Sequence, residues 1–239
     1  MSEKQAMLVN LAAELAADFA ARADEHDRDG SFPVENVARM KEAGYTALLI
    51  PEHNGGLGAD LMDYVLCQER LAQGCAATAL AINMHLFGLG SMVEHSDHNP
   101  RESMFFDMIG KHRHIIGGGI SEPETGGDWG VFATKARRDG DHYVLNGRKV
   151  FTSLSPVIDL FMIMATIEDA SPPASATFVI PCGTPGLELI ETWDAMGMRA
   201  TASHDLKLTN VRVGEAAKSN ERLVGPVDQE GISLFAWFS

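Results

Sequence analysis

Residues 115–153 read IIGGGISEPETGGDWGVFATKARRDGDHYVLNGRKVFTS, and this stretch decides the fold class. It opens with a short apolar run, reaches Ser121-Glu122-Pro123 and turns through Gly126-Gly127-Asp128-Trp129. Two pairs that favour tight hairpin turns follow, Asp139-Gly140 and Asn146-Gly147, each flanked by strand-forming residues. The pattern predicts an antiparallel meander with a polar loop at one end. That loop offers backbone N–H groups, the Ser121 hydroxyl and the Trp129 ring. Phe151 and Ser153 stand two positions apart, which in an extended strand puts both side chains on one face. An aromatic plane beside a hydroxyl makes a wall for a flat, polar-edged heterocycle.

Upstream the period is helical. Leu8, Leu11, Ala12, Leu15 and Phe19 predict an amphipathic helix near 6–25. Ser31 as N-cap, Pro33 in the first turn and Gly44 as a stop predict a second. Ala47 to Ile50 reads as extended. Helices are expected from Leu61 to Gln73, from Ala76 to near Glu94, and from Asn99-Pro100 onward. Downstream, strands are expected at Val157–Ala165, Ala176–Ile180, Leu187–Ile190 and Asp205–Leu208, with a loop through Pro172-Pro173. The expected class is therefore α+β: an all-helical N-terminal domain (1–114), then an antiparallel β-barrel or sandwich (115–224). Ile232, Leu234, Phe235 and Trp237 suggest that 225–239 begins a further helical domain, broken off at Ser239.

The net charge of −14 argues against nucleic acid as a partner. Three cysteines, Cys67, Cys75 and Cys182, are odd in number and lack metal-ligand spacing, which suits reduced thiols in a cytoplasmic protein. No secretory signal is read at the N-terminus, and no apolar run is expected to reach the ~18 residues of a membrane span. His95, His98, His112 and His114 include no i, i+4 pair with an acidic third partner, so no metal site is expected. Gly117-Gly118-Gly119 does not open a helix, so NAD is not implied.

The pattern ISEPETGGD followed by GDHYVLNGRKVFTS resembles the flavin-binding middle domain of the acyl-CoA dehydrogenase family. That family's usual pattern is Thr/Ser-Glu-Pro-x-x-Gly-Ser-Asp, then Asn-Gly-x-Lys-x-Trp/Phe-x-Thr/Ser. Ile50-Pro51-Glu52-His53-Asn54-Gly55-Gly56-Leu57-Gly58 is similar to a glycine-rich loop of the family. Met196 to Ser203, ending in Asn210-Val211-Arg212-Val213, is similar to the segment closing its middle domain. The four matches keep the family's order and cover nearly the whole chain.

The resemblance implies FAD-dependent α,β-dehydrogenation of an acyl-CoA, with the β-hydride passing to flavin N5. It places Ser121 at the pyrimidine edge of the flavin with Ile120 beside it. It sets Phe151 over one face of the ring, Thr152 next to it and Ser153 near N5. Gly126 and Gly127 match the loop by the pyrophosphate and the thioester. Gly127 replaces the family's Ser, which removes one side-chain bond to phosphate or substrate, and Gly118 stands where a bulkier residue is common. Asn83 and His85 match the helix lining the acyl pocket, though both also suit packing. Glu122 invites a role as base, but the family uses it structurally. Its base lies in a C-terminal four-helix bundle that this chain does not contain, so no catalytic residue is assigned here. Arg199 is expected to brace the domain rather than bind phosphate. The chain by itself is expected to hold FAD poorly and to turn over nothing. Implied partners are an electron-transfer flavoprotein and further copies in a homo-oligomer. The alternatives are a flavin monooxygenase of the same fold, acting on a small aromatic or sulfur compound, and a non-catalytic relative.

Overall fold

A computed structural model describes residues 1–96, 100–127, 132–171 and 174–223. They form two compact units. One is Met1–Ile115 joined by Asp194–Ala202; the other is Ile116–Trp193 with the described residues from Ser203 to Leu223.

In the first unit α1 runs Glu3–Asp29, longer at both ends than its apolar stripe predicts. Ser2 caps the start by accepting the Gln5 N–H, and Gly30 at φ 65° ends it. Leu8, Ala12, Leu15, Ala16 and Phe19 form its buried stripe. The second helix, α2, is Val34–Glu42. Its N-cap is Pro33 rather than Ser31, whose hydroxyl instead lies 2.8 Å from His26 Nδ1. Residues 47–50 are not extended. Tyr45–Ala47 is a 3-10 turn and the Ile50 N–H bonds back to the Ala47 carbonyl. A short run buried on every side carries no period, so sequence could not separate the two. The helices α3 (Leu61–Ala72, capped by Asp60 and Asp63), α4 (Ala76–Glu94) and α5 (Pro100–His112) complete the unit.

Contrary to the sequence reading, α4 is long and apolar enough to cross a membrane: 19 residues with a mean hydropathy of 1.4. In the fold it is a core helix. Ala77, Ile82, His85, Leu86 and Leu89 are buried on it, and the His85 imidazole donates from Nε2 to the Thr46 carbonyl at 2.8 Å. A helix apolar on most sides is what a protein interior requires.

The second unit is one eight-stranded sheet. Its strands are β1 (Ile116–Gly119), β2 (Lys135–Asp139), β3 (His142–Thr152), β4 (Leu160–Ile167), β5 (Ala174–Pro181), β6 (Leu187–Ile190), β7 (His204–Gly214) and β8 (Lys218–Leu223). The order is β6-β7-β3-β2-β4-β5-β8, with β1 beside β4. The α+β class is as expected, but the sheet is mixed rather than antiparallel. Both β1 and β2 run parallel to β4, at Ile116–Gly119 against Leu160–Ile163 and at Lys135–Ala136 against Thr166–Ile167. They lie end to end along one edge of β4, the other edge being taken by β5. Gly117 and Gly119 admit that close packing: a Cβ would stand 2.0 Å from Ile158 Cδ1 and 2.5 Å from Ile163 Cδ1.

Asp139-Gly140 is a hairpin turn, with Gly140 at φ 65° between β2 and β3. Asn146-Gly147 is not. It sits inside β3, where the register against β7 shifts between Leu145 and Gly147. The same dipeptide serves a bulge, and glycine is needed there for closeness: a Cβ on Gly147 would meet Thr134 Oγ1 at 2.3 Å and Thr134 Cα at 2.7 Å. Strand β7 extends well past Leu208, and β8 had no counterpart in the sequence reading. The expected start of a further helix at 225–239 lies outside the described residues, as do Asp128, Trp129, Pro172 and Pro173.

Substituting Gly147→Ala is expected to lower stability by about 1–3 kcal/mol through overpacking. Urea unfolding should show an earlier midpoint with an unchanged slope.

Candidate functional site

The polar loop after β1 is organised by Glu122. Its carboxylate is fully buried and accepts from Lys149 Nζ at 2.7 Å, the Thr134 N–H at 2.8 Å, the Ala133 N–H at 2.5 Å and the Thr125 hydroxyl at 2.9 Å. Lys149, inward on β3 and equally buried, also reaches the Ile120 carbonyl at 3.3 Å and lies 4.7 Å from the centre of the Phe132 ring. Burial pushes the Glu122 carboxyl up, but the Lys149 ammonium and the Thr134 N–H outweigh it and leave it at about 2. Burial holds the Lys149 ammonium below the usual lysine range, against the opposing pull of Glu122. A carboxylate this well supplied with donors is a poor proton acceptor, so Glu122 is a fastening and not a base.

The fastening sets Ser121 beside β3, where the Ser121 carbonyl accepts the Val150 N–H at 2.9 Å. At this place a cavity of about 450 Å³ opens within the sheet unit. The loop contributes Glu122, Pro123 and Gly126, and β3 contributes Val150 and Phe151. The far side comes from Thr192, Trp193, Ser203 and Asp205. The Phe151 side chain is 64% exposed, and its ring stands 6.1 Å from that of Trp193 at 90°. The two carboxylates at the border are both paired: Glu122 with Lys149, and Asp205 with Arg148, whose Nε donates at 2.8 Å.

Phe151 has φ 58°, a backbone an aromatic residue rarely adopts. The register of β3 against β7 slips between Lys149 and Thr152, so Phe151 is pushed outward by a bulge. This overturns the expectation that Phe151 and Ser153 share a face, which needs an unbroken extended strand. Ser153 lies in a turn past the end of β3, its N–H bonded to the Phe151 carbonyl and its hydroxyl 2.8 Å from that of Ser203. Ser153 does not itself line the cavity; it meets two residues that do, Phe151 and Ser203. Thr152 points inward: it is 1% exposed and its hydroxyl has no hydrogen-bond partner. Ser121 and Ile120 are half-buried beside the cavity, and Gly127 follows Gly126 on the exposed loop, with nothing within 4 Å of a Cβ at either glycine. Gly118 is exposed, and a Cβ there would meet only Ile120, at ordinary contact distance.

In the helical unit, Asn83 is engaged by neighbours. Its side-chain oxygen accepts from the Tyr64 hydroxyl and from Gln68 Nε2. His85 is the core histidine described above. Arg199 spends its guanidinium on the Asp27 and Ala195 carbonyls, the bracing expected of it. His95 bonds the Ser91 carbonyl and His114 the Met108 carbonyl, while His98 lies outside the described residues. Among the described residues no three His, Cys, Asp or Glu side chains gather as metal ligands. Sequence reasoning missed Trp193, Thr192 and Asp205. Only the nearby resemblance at 196–203 pointed toward this region.

The family model for the acyl-CoA dehydrogenase N-terminal domain matches residues 2–105, and that for the middle domain matches residues 117–211. The chain belongs to the acyl-CoA dehydrogenase family. It is 37% identical over 232 residues to the putative acyl-CoA dehydrogenase YdbM of Bacillus subtilis, covering 94% of this chain and 59% of that one. It is 32% identical over 208 residues to a 3-(aryl)acrylate reductase of Clostridium sporogenes, covering 84% and 55%. Among solved structures, KijD3 in complex with FMN and dTDP-3-amino-2,3,6-trideoxy-4-keto-3-methyl-D-glucose superposes with a TM-score of 0.85 at 26% identity, covering 99% and 59%. The chain thus spans about half to two-thirds of the length of the curated relatives it matches.

The Glu122 carboxyl is held below its unfolded value, so its stabilisation is complete above pH 4.5 and is lost as pH falls toward about 2. Urea unfolding across that window should show the decline. Glu122→Gln should flatten it and, by leaving Lys149 unpaired, cost about 3 kcal/mol at neutral pH.

Proposed function

We propose that this chain forms the flavin wall of an acyl-CoA dehydrogenase-type oxidoreductase, with FAD as cofactor and an acyl-CoA thioester as substrate. The observation that carries this reading is Phe151, an exposed ring on a strained backbone at the mouth of a cavity. Strain and exposure both cost stability, and a stacked ligand gives a reason for them. The residues fit such a group. The cavity volume is that of a cofactor site. Free space over Gly126 and Gly127 lets a phosphate approach backbone N–H groups.

A bound flavin supplies the acceptor for a hydride from the substrate's β-carbon. Phe151 would hold one face of the ring, and Ser121 and the Ile120 backbone would bond its polar edge. The pairing of Glu122 and Asp205 with cations reduces their repulsion of an electron-rich ring. Glu122 takes no proton in this scheme, and the base that removes the α-proton comes from outside the described residues. The same reading gives the protein a cytoplasmic setting, an electron-transfer flavoprotein as acceptor and a homo-oligomeric assembly. The free thiols Cys67, Cys75 and Cys182 suit a reducing compartment.

Gly127 favours a second reading. Losing the serine hydroxyl removes a substrate contact of the dehydrogenases, and a monooxygenase of this fold acting on a small aromatic or sulfur compound would not need it.

Titrating the purified chain with FAD and FMN, and following the visible flavin band, tests the reading. FAD should bind weakly but saturably, and Phe151→Ala should weaken it about tenfold. No binding of either nucleotide would end the flavin reading. Tighter binding of FMN than FAD, with oxygen uptake on an aromatic or sulfur substrate, would favour the second.

A further inference from the structure

Trp193 follows β6 on a segment outside any strand. Two N–H groups there converge on one atom. His204 Nδ1 accepts from the Thr192 N–H at 3.1 Å and from the Trp193 N–H at 3.0 Å. Both partners are donors, so Nδ1 carries no proton and the imidazole proton sits on Nε2. The next residue adds a second tie: the Thr192 hydroxyl donates to Asp205 Oδ1 at 2.9 Å and accepts the Asp205 N–H at 3.2 Å. Arg148 holds the other carboxylate oxygen of Asp205.

These bonds fix the segment bearing Trp193, and through it the ring set 90° to Phe151. A planar ring stacked on Phe151 then lies perpendicular to the indole plane. Trp193 becomes a stop at the ligand's edge instead of a second stacking face.

We propose that His204 is a positioning residue that places Trp193 as the edge stop of the site, by accepting both N–H groups at the start of the indole-bearing segment. That the ring is a flavin rests on the function proposed above; the holding of Trp193 does not. Asparagine at 204 can put its side-chain oxygen where Nδ1 stands, whereas leucine keeps the bulk and offers no acceptor.

The test uses the full chain with 5-fluorotryptophan incorporated, and the Trp193 resonance assigned by its loss in Trp193→Phe. In ligand-free protein, His204→Leu should shift and broaden that resonance, and His204→Asn should leave it near its wild-type position. In parallel, FMN and FAD dissociation constants are measured for wild type, His204→Leu, His204→Asn, Trp193→Ala and the Leu/Ala double variant. His204→Leu should weaken binding about tenfold and His204→Asn less than about twofold. In the Trp193→Ala background, His204→Leu should have almost no further effect, since its influence runs through the indole. An unmoved Trp193 resonance in His204→Leu, failure of asparagine to restore it, or fully additive losses in the double variant would each overturn the proposal. Should wild type bind neither nucleotide, the flavin reading falls while the ligand-free resonance still decides the role of His204.

Discussion

The buried pair of Glu122 and Lys149 is the constraint on which the site depends. Two charges removed from water are tolerable only when each is fully partnered. Glu122 meets that demand with donors from three places: the turn at Thr125, the backbone at 133–134 and the ammonium of β3. One carboxylate therefore closes the polar loop at its neck. It also ties that loop to the strand that presents Phe151. An apolar pair of similar volume could fill the space but could not satisfy the Ala133 and Thr134 N–H groups, which have no other place to go.

The opposite border of the cavity uses the same device on a smaller scale. A side-chain acceptor, His204 Nδ1, gathers backbone N–H groups that the sheet leaves over. Both anchors work by completing the hydrogen bonding of irregular backbone, the usual requirement where a loop must be rigid enough to shape a binding surface. The cavity lies between two such anchored segments, and the bulge in β3 turns an aromatic ring into it.

Much of this was legible in sequence. The helical stripe of α1, the extent of α4, the hairpin at Asp139-Gly140 and the strand Leu187–Ile190 follow from local pattern alone. The Ser-Glu-Pro and Phe-Thr-Ser motifs pointed to two of the segments that border the candidate cavity, Glu122–Gly126 and Val150–Phe151. The failures share a cause in tertiary context. Asn146-Gly147 has the composition of a turn but was placed in a bulge by the approach of Thr134. Strand alternation gave the wrong face for Ser153, because Phe151 leaves the extended region. Trp193 and His204 flank the 196–203 resemblance, but neither carries a signature of its own. Their meeting depends on the register of β6 against β7, which local patterns do not encode. Parallel pairing to β4 was invisible for the same reason.

The left-handed backbone at residue 151 has a consequence for anyone altering this protein. Glycine or asparagine would sit there with less strain than phenylalanine does. Selection for heat resistance alone would draw position 151 toward those residues, and selection for ligand capture would draw it back toward a ring. Directed evolution that scores only one of these traits would erode the other at this single codon.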